Sequence, residues 1–485
     1  MLAHQRAPLF TAYDERHDTM TDRTHHRATD PGGEALRELA HRITGSLFTP
    51  DDEHFAAEAA GFNLLSTHRP ALIVAAASAT DVQAAVAFAA EHGLAVGVMA
   101  TGHQPFPAED GFLLVTTRAM RSVRIDVDRS VARVAAGATW AEVVKPAQAV
   151  GLAPINGSSP TVGVVGFTLG GGHSPFLGRS LGWAADHVVS IEVVTADGEL
   201  RRVTAASDPD LFWALRGGRS NFGVVTELEI ELFPLTSFYG GGIYFAAEDV
   251  EAVLRTFPEV VRDAPDDFTC SVALMNVPPI PEVPELFRGR FLAHLRVVGL
   301  GSDEETEKLI APFRAIGPGL LDSVGRHPYG AFAAVHADPA HAAPYEERSA
   351  LLSDLPSEAV DRLVAGARRE AGGPITVLEL RQLGGALART PEGAAPIAAR
   401  EAGFSVWGAT IGPPEVIEAG YAALATVLAE LAPWSTGLLF ANFTDRKAGA
   451  ASVFSREELE RLRWLKRQHD PGNLFRVHNH NIAPR

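Results

Sequence analysis

Apolar and polar positions along the chain mark out short strands and amphipathic helices from residue 33 onward. Residues 33–60 read as short helices. Pro70–Ala77 is an apolar run suited to a buried strand, and Leu94–Met99 is a second. Between them, Val82, Ala85, Val86 and Ala89 recur at helical spacing, with Ser78 and Thr80 before them and Gly93 after, so 70–99 reads as strand–helix–strand. Val123–Val127 and Val131–Ala135 flank Asp128-Arg129-Ser130 as one hairpin. Val188–Thr195 and Glu199–Thr204 flank Asp197-Gly198 as another. Asp208–Arg216 is helix-like and Val224–Leu232 a strand. After 235 the texture changes: prolines cluster at 278–284, and strand-like Leu292–Val298 and Thr376–Leu380 alternate with Ala/Glu-rich helical stretches. Near the end, Ser455 and Glu458 form a capping box, Phe454 and Leu459 a hydrophobic staple, and Leu459, Leu462 and Leu465 one apolar face. Asp470-Pro471-Gly472 stops that helix.

The fold class is therefore α+β. The texture divides the chain into a flexible polar tail (1–32), a glycine-rich α+β block (33–235), a second α+β lobe (236–435) and a closing segment (436–485). At 485 residues, about two to four domains or lobes are expected. The 59 acidic residues outnumber the 42 basic ones, which disfavours nucleic acid and anionic lipid as partners. One cysteine, Cys270, excludes an internal disulfide and any thiolate-based metal site, so no metal is expected. The tail lacks an apolar signal core, and no run approaches the ~18–20 apolar residues of a membrane span, so a cytoplasmic protein without membrane contact is the default expectation.

Two features carry chemistry. Gly157–Gly172 is dense in glycine, which lets backbone N–H groups approach an anion closely, with Ser158, Ser159, Thr161 and Thr168 as further donors. A diphosphate is its natural guest, and a set of tight turns is the plain alternative. The run matches neither the nicotinamide-dinucleotide fingerprint nor the P-loop. The second feature is Ala100-Thr101-Gly102-His103, directly after a predicted strand; taken alone, its histidine reads as a core residue before it reads as a catalytic base.

Taken in order, the runs Gly93–His103, Ala132–Val143, Asn156–Val188, Asp210–Thr226 and Glu460–Ile482 resemble the berberine-bridge-enzyme-like FAD-linked oxidases of the vanillyl-alcohol-oxidase superfamily. Val377–Arg389 is similar to bacterial members of the group. The resemblance covers about 60–235 and 435–485 well. It implies a PCMH-type FAD-binding domain of two α/β subdomains, and a substrate domain with an antiparallel sheet backed by helices. It further implies an oxidoreductase that passes hydride from a small organic molecule, such as a secondary-metabolite intermediate, to the flavin. O2 would then reoxidise the flavin and yield H2O2. A monomer or homodimer is expected.

Carried over residue by residue, the resemblance implies FAD attached covalently through His103, with Thr101 and Gly102 beside it. Gly157, Ser158, Ser159, Thr161, Val162, Gly163, Gly166, Gly170, Gly171, Gly172 and His173 would wrap the cofactor. Asn221, Gly223, Val224, Val225, Asn442, His480 and Asn481 would complete its site. Some members add a second link through a cysteine at the position of Ser159; serine there implies a monocovalent flavin, not a bicovalent one. Two further departures stand out. Met99 occupies a position often held by arginine. Phe440 and Phe443 replace two tyrosines, one of which serves many members as the base for a substrate O–H, and phenylalanine accepts no proton. Tyr329, His336 and Gln382 are the substitute catalytic candidates, with Tyr239, Tyr244, Glu379 and Arg381 nearby. Strand alternation puts Glu379 and Arg381 on one face and Leu380 and Gln382 on the other. The missing tyrosines also raise an alternative: a redox-silent flavoprotein acting as a cyclase, dehydratase or binding scaffold.

Overall fold

The computed structural model describes residues 32–65, 68–104, 107, 109–444 and 448–484. Nearly all of the predicted tail, including Tyr13, lies outside them, as does Asp445. Three large sheets, with a two-stranded pairing of Leu152–Ala153 and Phe233–Pro234 besides, organise the described residues. The first has four strands in the order Ser46–Phe48, Leu72–Ala75, Leu113–Thr116, Val96–Met99; the first pair is antiparallel and the others parallel. The helix Ala79–Glu91 connects Leu72–Ala75 to Val96–Met99. Its N-cap Ser78 accepts the N–H of Asp81, and buried Asp81 in turn accepts from the backbone of Thr44, Gly45 and Ala77. The two strands of this unit are not neighbours. Leu113–Thr116, which the sequence pattern did not mark, lies between them, because all four of its residues are buried and show no alternation.

The second sheet is antiparallel throughout: Val123–Asp126, Val131–Ala135, Val224–Glu231, Val188–Val194, Leu200–Val203. Both hairpins read from the sequence are in it. Its core includes residues of the helices Trp140–Ala149, Val164–Leu169, Pro209–Gly218 and Arg456–His469. The last is capped by Ser455 and Glu458, and Phe454 and Leu459 share its core. Beyond it the chain returns to the first sheet: Val96 N–H donates to Leu474 O at 2.9 Å.

The third sheet is the largest, eight antiparallel strands drawn from residues 237–411. Ser237–Ala246, Phe291–Gly299, Phe268–Asn276, Val377–Gln382, Phe404–Ile411 and Tyr345–Leu352 follow one another across it, with Leu321–Asp322 and Gly325–Pro328 both on the outer edge of Ser237–Ala246. The helices Val250–Val261, Asp303–Arg314, Ser357–Glu370 and Pro414–Glu430 share one apolar core with Val272, Leu295, Leu378, Leu380 and Val406. Alternation then directs Glu379, Arg381 and Trp407 away from that core. No helix among the described residues is long and apolar enough to cross a membrane.

Candidate functional site

A cleft of about 400 Å3 lies between the glycine-edged loops of the first two sheets and the open face of the third. His103 enters it on the loop leaving Val96–Met99. Gly102 makes the turn at φ +67°, and a Cβ there would meet Gly61 Cα at 2.5 Å, so only glycine allows the two backbones to pass. The His103 ring stacks on Phe62, centroids 3.9 Å apart and 9° from parallel. Its Nδ1 bonds the Thr101 hydroxyl at 2.9 Å and its Nε2 the Thr161 hydroxyl at 3.2 Å. Burial lowers its pKa to about 4, so the imidazole is neutral at pH 7. The Tyr345 hydroxyl donates to the His103 carbonyl.

Gly157, Gly163, Gly166 and Gly223 line the same cleft, with Ser158, Ser159, Val162 and Val225. At Gly166 a Cβ would meet no protein atom within 4 Å. Buried Arg219 Nε, His173 Nε2 and His478 Nε2 have no hydrogen-bond partner in the protein, and all three residues line the cleft. Burial lowers Arg219 to about 10, and His173 and His478 to about 3. An elongated wall of bare backbone with unpaired buried donors fits a phosphate-bearing dinucleotide.

Other predicted residues sit behind this wall. Thr161 supports His103. Gly170 packs on Arg219 and Asn442, Gly171 on Phe440, and Gly172 N–H donates to Asn442 Oδ1 at 3.2 Å. Asn442 itself reaches the cleft. Val224 turns into the core of the first sheet. Buried Asn221 is a tie: it donates to Gly218 O and His480 O and accepts the N–H of Ile482. His480 bonds the Thr444 hydroxyl at 3.0 Å, and neither it nor Asn481 lines the cleft. Their neighbours His478 and Asn479 do.

The three substitute catalytic candidates need correction. Tyr329 is fully buried off the cleft, its hydroxyl donating to Asn156 Oδ1 at 2.5 Å and Pro154 O at 3.1 Å. Gln382 points to the helix layer and donates to Val261 O at 3.2 Å. His336 is buried 3.9 Å from Glu379 and does not line the cleft. Side chains of the sheet face do line it: Tyr345, Glu347, Arg381 and Trp407. Glu347 accepts from Trp407 Nε1 at 2.7 Å. Phe443 borders the cleft, whereas Phe440 is buried against Trp183. Beside Met99 a positive charge is present all the same: Arg118 Nη2 lies 3.9 Å from its sulfur.

Comparison with known proteins places this arrangement. Residues 70–204 match the model described as FAD binding domain, and 439–483 the one described as berberine and berberine like. (R)-6-hydroxynicotine oxidase of Paenarthrobacter nicotinovorans is 31% identical over 465 residues, covering 91% of this chain and 97% of that protein. The chain belongs to the berberine-like FAD-linked oxidoreductases. The solved structure of 6-hydroxy-D-nicotine oxidase from Arthrobacter nicotinovorans is similar with a TM-score of 0.78 at 28% identity, covering 91% of this chain and 98% of that one. A berberine-bridge-enzyme-like protein of Physcomitrella patens shares the fold, with a TM-score of 0.80 at 17% identity over 93% of this chain and 99% of that one. As a berberine-like flavoprotein the chain is an FAD-dependent enzyme, and its cleft offers the backbone and the donors that this cofactor needs. Sequence reasoning missed Phe62, Gln104, Arg219, Tyr345, Glu347 and Trp407. For the last two, strand alternation was an available signal.

Proposed function

We propose that the protein is an FAD-linked oxidase of a small organic amine, of the kind secondary metabolism supplies, with its flavin carried covalently through His103. The observation that carries the amine reading is the cleft wall opposite His103, which presents the Phe443 ring where a proton-accepting phenol would serve an alcohol. Tyr345 is the one phenol that lines the cleft among the described residues. Its hydroxyl is engaged with the His103 carbonyl, and burial holds its pKa well above the ordinary value. An alcohol must lose its O–H proton as hydride leaves. A neutral amine has its own lone pair to drive that departure, giving an iminium ion, and needs no such base. Glu347, held by Trp407, attracts the cationic form of an amine into the cleft. Bound FAD supplies the hydride acceptor, and O2 the reoxidant that yields H2O2.

His103 suits a covalent link because its imidazole is neutral, fixed by Phe62 stacking and two hydroxyls, and open to the cleft. Ser159 and the remote, buried Cys270 leave no thiol for a second link. The test begins with a visible spectrum and acid precipitation. A yellow pellet that turns to yellow supernatant in His103→Ala supports the link; a colourless wild-type pellet refutes it. Oxygen uptake is then screened on matched amines and alcohols. Uptake with amines, rising with pH as the amine deprotonates, supports the reading. Uptake with alcohols alone overturns it. Turnover without oxygen consumption or flavin bleaching would establish the redox-silent alternative, for which Phe440 and Phe443 are the motivating residues.

A further inference from the structure

Each ring nitrogen of His103 meets a hydroxyl, and the two hydroxyls lead to different places. Thr101 Oγ1, 2.9 Å from Nδ1, accepts the N–H of Gly163 at 3.4 Å, and Thr101 itself lines the cleft. Thr161 Oγ1, 3.2 Å from Nε2, does not reach the cleft directly but lies 3.0 Å from Ser159 Oγ, and Ser159 does line it. Nδ1 is therefore the nitrogen on the cleft side. Nε2 is joined to the cleft by a chain of two hydroxyls, each step within hydrogen-bond reach. The loop that carries them is held in place. Trp140 and Ala141, in the first turn of the helix Trp140–Ala149, donate their N–H groups to Val162 O at 3.1 Å and Pro160 O at 3.0 Å.

A covalent bond at Nδ1 turns the ring into an imidazolium for as long as Nε2 keeps its hydrogen. The site does not favour that charge. Phe62 covers one face of the ring, both of its hydrogen-bond partners are neutral hydroxyls, and burial lowers its pKa to about 4. The Nε2 proton must therefore leave as the bond forms, and Thr161 and Ser159 are the groups in line to take it. A hydroxyl accepts one proton while giving up its own, so no charge is stored along the way. At the cleft end Ser158, next to Ser159 in sequence, donates to Asp338 Oδ2 at 2.5 Å, and Asp338 lines the cleft. A carboxylate thus stands near the outlet.

We propose that Thr161 and Ser159 form a proton relay for flavin attachment, carrying the Nε2 proton of His103 to the cleft while Nδ1 forms the bond. This rests on the covalent reading above and supplies the protein's part in it. Attachment exchanges a C–H bond of the flavin 8α-methyl group for a C–N bond to Nδ1. One proton leaves the methyl group and one leaves Nε2, and the electron pair of the broken C–H bond passes to the flavin ring. O2, already the reoxidant of the proposed reaction, takes up that pair and two protons as H2O2. Ser159 stands at the position where some members of the family carry a second, cysteine link. A hydroxyl there makes no link and is free to end the relay.

The experiment follows attachment itself, on the full chain produced in riboflavin-starved cells and then given FAD in air. Flavin absorbance reports the FAD bound, and flavin kept in the acid pellet reports the linked fraction with time. Thr161→Val keeps the side-chain shape and removes the hydroxyl. It is expected to bind FAD and to link it about a hundredfold more slowly, the weight of one positioned proton-transfer group. Between about pH 7 and 9 its rate should climb roughly tenfold per unit, as hydroxide replaces the relay, while the wild-type rate changes less than about threefold. Thr161→Ser restores the hydroxyl and should restore the rate. A merely structural loss lowers FAD uptake without steepening the pH profile. The ionisable groups that share the cleft, Arg219, Asp338, His341, Tyr345, Glu347 and His478, are common to all these proteins and cancel in the comparison. If Thr161→Val takes up no FAD, Ser159→Ala carries the same test with the relay one hydroxyl short. A yellow wild-type pellet together with wild-type rate and pH profile in the variant overturns the relay alone. A colourless wild-type pellet overturns the covalent reading and the relay with it.

Discussion

Lys466→Met tests how the C-terminal segment is held against the flavin lobe. Lys466 is fully buried in the helix Arg456–His469. Its Nζ donates to Asp470 Oδ2 at 2.7 Å, Asn221 O at 2.6 Å and Phe475 O at 3.3 Å. Asp470, 1% exposed, also accepts the N–H groups of Leu474 and Phe475. Methionine keeps the apolar stem and removes only the ammonium. It leaves a buried carboxylate with two neutral donors and deprives two carbonyls of a charged one. Breaking a buried pair from one side costs about 3–5 kcal/mol, against a typical total stability of about 5–15 kcal/mol. The double variant Lys466→Met/Asp470→Asn removes the stranded charge and should recover about half of that loss. Urea titration followed by tryptophan fluorescence measures both, since Trp464 belongs to this helix and Trp213 lies under the Arg461 guanidinium at 3.9 Å. A single-variant loss below about 1 kcal/mol, or a double variant less stable than the single, would refute the reasoning.

Gly102→Ala combines a left-handed backbone, roughly 1–2 kcal/mol for a residue with a Cβ, with a contact on Gly61 that cannot yield. It should displace His103 and lower the fraction of flavin that stays in the acid pellet; a wild-type fraction at wild-type melting temperature would contradict this. Acid stability depends on the histidines buried neutral. For His173 and His478 the folded pKa of about 3 lies below the unfolded 6.5, so their contribution is complete above pH 6.5. It is lost as pH falls from there toward 3, at roughly 1.4 kcal/mol per pH unit for each. The urea midpoint should therefore be flat above pH 7 and drop by pH 5, and an unchanged midpoint at pH 5 would count against the assignment. Trp407→Phe removes the indole N–H that orients Glu347. It should raise KM for an amine severalfold while kcat stays within about twofold, since a lost hydrogen bond to a charged group acts on binding; a fall in kcat at constant KM would place Glu347 in the chemical step instead.

What the sequence made legible follows from periodicity. The helix Ala79–Glu91 and the helix Arg456–His469 carry a cap and a clear 3.6-residue pattern, and both hairpins carry turn residues between alternating runs. Leu113–Thr116 carries neither, being buried on all sides, so its insertion between the strands of the first unit left no trace. His103 was legible through the family resemblance, since its loop alone favoured a core histidine; Phe62, which stacks on it, lies forty-one positions upstream and shares no pattern with it. Glycine shows where backbone is permissive, not what approaches it. Hence Gly157–Gly172 splits into Gly157, Gly163 and Gly166 on the cleft and Gly170, Gly171 and Gly172 against protein side chains. In the irregular closing segment no period fixes the direction of a side chain, and the expectation slipped by two residues, from His478 and Asn479 to His480 and Asn481.

The two walls of the cleft constrain sequence differently. The flavin wall is largely backbone, and at Gly102 and Gly157 an added Cβ would come within 3 Å of Gly61 Cα or the Phe167 ring, so change there alters the path of the chain. The opposite wall is built from alternate positions of Tyr345–Leu352, Val377–Gln382 and Phe404–Ile411, whose register is held by backbone pairing and by the apolar core on the far side. Any of Glu347, Trp407, Arg381 or Ser405 can change in kind without shifting a strand. These sheet positions can therefore vary without cost to the fold, which separates what the site holds from what the fold requires. The pairing of Phe443 with Arg381 is the case in point. A phenol so close to a guanidinium would be readily ionised and would serve as a base. Phenylalanine in its place removes that base and leaves an aromatic face 4.7 Å from the Arg381 guanidinium, which stays paired with Glu379, so the substitution changes what the cleft can deprotonate.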